Sequence, residues 1–143
     1  MSPWDLHRKK LNKKQNINLD YRVEKLIFVY NAFSGTHNAV LDALHKIVSP
    51  KSYACNLCKL TYGAFCENSQ WKEFRQKSNV EMDFLHIDEF RKKYASKFSY
   101  KYTFPIVLWE DEAEMGIFIP TEEMERVPNT EALIKLIEER LKI

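Results

Sequence analysis

Two thiols separated by two residues, in Cys55-Asn56-Leu57-Cys58, are the strongest chemical signal in this 143-residue chain. Side chains at that spacing can close a small disulfide ring, or hold one soft metal ion between them. Both uses need the thiolate. A zinc site needs further ligands, and Cys66 with His45 or His37 are the residues that can complete a four-ligand set. A lone Cys-x-x-Cys does not choose between redox and metal chemistry, and two small apolar side chains packing a loop is a third reading. The reading from a different class has no catalysis: the cysteine loop, with Tyr53, Tyr62 and Phe65, forms a docking surface for another protein.

Other polar residues carry weaker signals. Ser34, His37 and Asp42 contain the types of a hydrolytic relay, but Ser34-Gly35-Thr36-His37 lacks the flanking glycines of a nucleophile elbow, so helix capping is the better expectation. His86 follows Phe84-Leu85 and precedes Asp88, the setting of a histidine at a strand end. Glu110, Asp111, Glu112 and Glu114 read as a solvated turn.

The elements that must position these residues can be traced along the chain. Leu26 to Tyr30 is a continuous apolar, β-favourable run, as expected of a strand buried on both faces. A turn-rich cluster follows, then Val40, Leu41, Leu44, Ile47 and Val48 at helical spacing, stopped by Ser49-Pro50. The segment Lys51 to Asn68 holds all three cysteines and reads as a loop or short helical piece between helices. A helix is expected from Ser69 to Lys77, a strand over Val80 to Ile87, and a short helix within the charged stretch 88–101. Phe104 to Trp109 and Met115 to Ile119 form a hairpin, and Pro128-Asn129-Thr130 opens a last helix lined by Leu133, Ile134, Leu136, Ile137 and Leu141.

That order, with proline leading the strand before the terminal hairpin, is similar to the thioredoxin-like fold from Tyr21 to Lys142. The resemblance implies an α/β three-layer sandwich, a central mixed sheet of about four strands with helices on both faces, spanning 23–143 behind a basic tail or short helix at 1–22. It also makes Phe104-Pro105 the counterpart of that fold's cis-proline. In the fold, however, the dithiol begins the first helix, a place held here by Ser34 to His37. A helix from Thr36 to Val48 would be roughly 18 Å long, and would carry Cys55 away from Pro105. Tyr30-Asn31-Ala32-Phe33-Ser34-Gly35 and Cys55-Asn56-Leu57-Cys58-Lys59-Leu60-Thr61-Tyr62-Gly63 also resemble segments of a group of uncharacterised small bacterial proteins, some of them labelled GTPases. The chain has no Gly-x-x-x-x-Gly-Lys-Ser/Thr run to cradle phosphates, which speaks against nucleotide hydrolysis.

Composition bounds the rest. With 45% hydrophobic and 29% charged residues the chain has the balance of one globular domain, and its apolar runs fall far short of the roughly 20 residues of a membrane span. No secretory signal is legible, and an odd cysteine count argues against an extracellular disulfide scaffold, so a cytoplasmic protein is expected. Residues 1–25 carry seven Lys/Arg against three Asp/Glu, and residues 110–143 four against ten. Without an aromatic-interleaved basic stripe this asymmetry reads as a solvated tail and an acidic helical face, not a nucleic-acid site. The expectation is a thioredoxin-like domain whose Cys55/Cys58 pair does thiol redox or metal chemistry with a protein or thiol partner.

Overall fold

A computed structural model describes residues 23–34, 55–63, 66–94 and 101–141, with Pro3 and Leu6. The expected helix over 36–48 and most of the basic tail lie outside the described residues.

The first strand, β1 (Lys25–Val29), is buried from Leu26 onward because both of its faces are covered. It pairs in parallel with β2 (Glu81–Leu85) and antiparallel with β3 (Ile106–Glu110), which pairs antiparallel with β4 (Met115–Ile119). The resulting order is β2-β1-β3-β4. Composition follows position. The central strands read KLIFV and IVLWE, whereas edge strand β2 carries Glu81 and Asp83, matched by Lys25 and Lys93. Glu110, expected in the acidic turn, instead ends β3 and accepts a 3.0 Å hydrogen bond from the Tyr94 hydroxyl. Asp111 makes the turn, its carboxylate accepting from the N–H groups of Ala113 and Glu114.

Period-two alternation divides the strand residues between two cores. Leu26, Phe28, Tyr30, Val107 and Trp109 face helices α1 (Asn56–Thr61), α2 (Ser69–Lys77) and α5 (Thr130–Leu141), which contribute Leu57, Leu60, Trp71, Leu133 and Ile137. Ile27, Val29, Ile106 and Leu108 face α3 (Ile87–Lys93) through Phe90, joined by Tyr94, Tyr102 and Phe104. Helices thus cover both faces of a four-stranded mixed sheet, and the domain is a thioredoxin-like α/β sandwich.

Local chemistry ends each element. Asn68 caps α2 by accepting from Trp71 N, and Asn129 serves α5 in the same way through Ala132 N. A four-residue helix, α4 (Thr121–Met124), follows β4; it is too short to leave a periodic signal. A bulge between Val107 and Leu108 shifts the β3–β4 register, and Phe118 and Ile119 both enter the first core. Gly116 pairs with Trp109, and a Cβ there would lie 2.6 Å from the indole Nε1. Only glycine lets the ring lie against the edge strand.

Candidate functional site

Cys55 and Cys58 are joined to one another, with an S–S distance of 2.15 Å and their Cα atoms 5.3 Å apart. Of the two readings of this segment, loop or short helical piece, the second holds over Asn56–Thr61, and Cys55 is the N-cap of that helix. In that role the Cys55 sulfur does what a serine or aspartate oxygen usually does. Its Sγ accepts from Cys58 N at 3.2 Å, and the Cys55 carbonyl accepts from Lys59 N.

A third contact fixes where this helix begins. Asn31 N, two residues beyond β1, donates to Cys55 Sγ at 3.4 Å, so the chain has returned to the C-terminal end of β1 by the time it reaches the disulfide. Pro105 lies at the same end of the sheet, because it directly precedes β3 and Ile106 pairs with Val29. The Phe104–Pro105 peptide is cis. The expected separation of the two by the length of a helix is therefore not the arrangement found. The dithiol and the proline strand start from one rim.

Both sulfurs are sheltered, Cys55 being 1% and Cys58 7% exposed. Their surroundings are largely apolar, with Leu57, Leu60 and Tyr30 in the same core. The Tyr30 ring stands edge-on to Tyr62 at 6.4 Å and 5.7 Å from the ring of His86. Burial pushes the Tyr30 hydroxyl far above its ordinary pKa, so it stays protonated. Tyr62 and Phe33 are large apolar side chains left exposed, on either side of the disulfide along the chain.

The rest of the rim is held by polar ties. Ser34 N donates to Asp88 Oδ1 at 2.8 Å and its hydroxyl to Asp88 Oδ2. These donors hold the Asp88 carboxyl below the usual range. Ser34 thus anchors the segment after β1 to α3; His37 and Asp42, its companions in a relay, lie outside the described residues. His86 directly follows β2, at the strand end its sequence setting suggested, and as the N-cap of α3 forms a capping box with Glu89: His86 N donates to Glu89 Oε1 at 3.0 Å, and its ring Nδ1 bonds the same carboxylate. The backbone donor, then the ring, lowers the Glu89 pKa.

Of the residues named for zinc, Cys55 and Cys58 are joined in the disulfide, and His37 lies outside the described residues. Cys66 is a free, exposed thiol in the turn between α1 and α2, where its carbonyl accepts from Gly63 N. His45 lies outside the described residues, and no three His, Cys, Asp or Glu side chains gather as a metal site among the described ones. Of the docking residues, Tyr62 is exposed, while Tyr53 and Phe65 lie outside the described residues.

Two contributors to the site were not singled out from sequence. Asn31 acts through its backbone, which no residue type announces. Asn56 acts through its side chain, and an amide between two cysteines in a short helix is a signal that could have been pursued.

No protein-family model matches the chain, and no curated protein or solved structure matches it. No helix among the described residues is long and apolar enough to cross a membrane.

Proposed function

We propose that this protein is a thiol–disulfide redox domain in which Cys55 and Cys58 exchange two electrons with a protein or small-molecule thiol partner. The observation that carries the reading is the contact of the Cys55 sulfur with two backbone donors, Asn31 N and Cys58 N, at the β1 rim. Donors that accept a neutral sulfur as a weak partner bind a thiolate far better, so they favour charge on Cys55 once the disulfide opens. Cys55 is then the attacking sulfur. Its thiolate displaces one thiolate from a partner disulfide and forms a mixed disulfide. Cys58, deprotonated to solvent, attacks Cys55 Sγ, closes the internal bond and releases the second partner thiolate. The partner gains two electrons and the dithiol loses two.

Burial of both sulfurs supports a second reading, in which the bond is a structural staple within a protein-binding domain. Equilibrating the full-length protein in glutathione buffers of stepped ratio, then alkylating and weighing it, separates the two. A redox domain converts Cys55 and Cys58 together and reversibly under native conditions, while Cys66 is alkylated throughout. A bond that resists glutathione until the protein unfolds makes it a staple. Stoichiometric zinc on the native dithiol protein, lost on Cys55→Ser, would make it a metal site instead.

A further inference from the structure

The residue that follows Cys55 is bound more firmly than its exposure requires. A primary amide has two N–H donors, and Asn56 Nδ2 donates to Met124 O at 2.7 Å and to Val127 O at 2.9 Å. Both carbonyls belong to the stretch from the end of α4 to the start of α5, and Val127 N itself donates to Met124 O. The far end of α1 is tied to the same stretch, since Thr130 Oγ1 donates to Leu60 O at 2.6 Å. Helix α1 is therefore anchored at both ends to chain about 70 residues away, once beside the sulfurs and once beyond them.

We propose that Asn56 is a positioning residue that sets how readily the Cys55–Cys58 bond opens; the inference rests on the redox reading above. The disulfide closes between an N-cap residue and the first turn of the helix it caps. Reduction frees the two sulfurs to separate only as far as the first turn of α1 can relax. With Asn56 held by two carbonyls, that turn keeps its oxidised shape, the thiols stay close, and the internal bond re-forms at high effective concentration. Without the amide the turn loosens, and the equilibrium moves toward the dithiol. The Asn56 amide donates to carbonyls and not to a sulfur. Its influence passes through the backbone between them.

The test compares the glutathione equilibrium constants of full-length wild type, Asn56→Ala, Asn56→Asp and Thr130→Ala. Both Asn56 variants lose the donors, and Asn56→Asp also sets a carboxylate against two carbonyl oxygens, so each should favour the dithiol by roughly fivefold or more. Thr130→Ala removes a tie of the same helix to the same stretch but leaves the residue between the cysteines untouched. Its constant should stay at the wild-type value even if its melting temperature falls. Asn56 variants that melt earlier but keep the wild-type constant would make Asn56 merely structural and overturn the inference, with the redox reading intact. A wild type that never equilibrates with glutathione overturns both.

Discussion

Asn31 N and Cys55 Sγ stand 3.4 Å apart although 24 residues separate them in sequence. That contact ties the end of a central strand to the start of the dithiol helix, and it makes the sulfur an acceptor of main-chain hydrogen bonds. The consequences can be measured one at a time.

In the reduced protein the Cys55 thiol should titrate below the ordinary cysteine value of about 8.5, since two N–H donors stabilise its thiolate. Cys58→Ser and Cys66→Ser together isolate the group, and the ultraviolet absorbance of the thiolate follows it with pH. A midpoint at or above that of a free thiol would mean that burial outweighs the two donors, and Cys55 would lose its role as the attacking sulfur.

Acid should weaken the fold through Asp88 and Asp83. The Ser34 hydroxyl and N–H depress the first. For the second, burial opposes ionisation but Lys93 and Lys25 outweigh it. A carboxylate whose folded pKa lies below its unfolded value of about 3.8 stabilises the fold above that value, and the contribution disappears as pH falls through the folded pKa. Melting temperature should therefore drop as pH is lowered from about 5 toward 3. Ser34→Ala should shrink the part of that drop owed to Asp88. An unchanged slope would show that Asp88 gains nothing from Ser34.

Gly116→Ala should cost about 1–3 kcal/mol in urea unfolding, because its Cβ meets a rigid indole and not the tip of a flexible chain. The Trp109→Phe background removes the nearest atom, so the same substitution should cost less there. Equal penalties in the two backgrounds would rule out the indole as the obstacle.

Trp71 is fully buried, edge-on to Phe28 at 5.4 Å, and its indole Nε1 has no hydrogen-bond partner among the described residues. Trp71→Ala should cost about 3–5 kcal/mol. Trp71→Phe should cost less than about 1.5 kcal/mol, since it keeps an aromatic ring while removing an unsatisfied donor. If phenylalanine proves as damaging as alanine, the indole nitrogen has a partner that matters.

What was legible in the sequence follows the range over which each signal acts. Helix 69–77 and strand 115–119 lie where residue periodicity and turn chemistry put them, and β1 differs by one residue. Apolar spacing is a local property that survives folding. The site was harder to read. Six residues of α1 give too few turns for a periodic pattern, and Cys55 is not a usual capping residue, so loop and short helix stayed equally open and the start of a helix could not be read. The contacts that position it, Asn31 to Cys55 and Asn56 to Met124 and Val127, bridge 24 to 71 residues, and only the folded chain brings them together.

The polarity of the sheet separates two kinds of residue. The disulfide, Asn31, Pro105 and His86 cluster at one end of β1, while Lys25, Glu81, Asp83, Lys93 and Glu110 with Tyr94 occupy the other. A fluorophore attached at Glu81, the most exposed of the paired charges there, would sit a full strand length from the sulfurs. Such a reporter could follow unfolding in real time while leaving the thiols free to be titrated in the same cuvette.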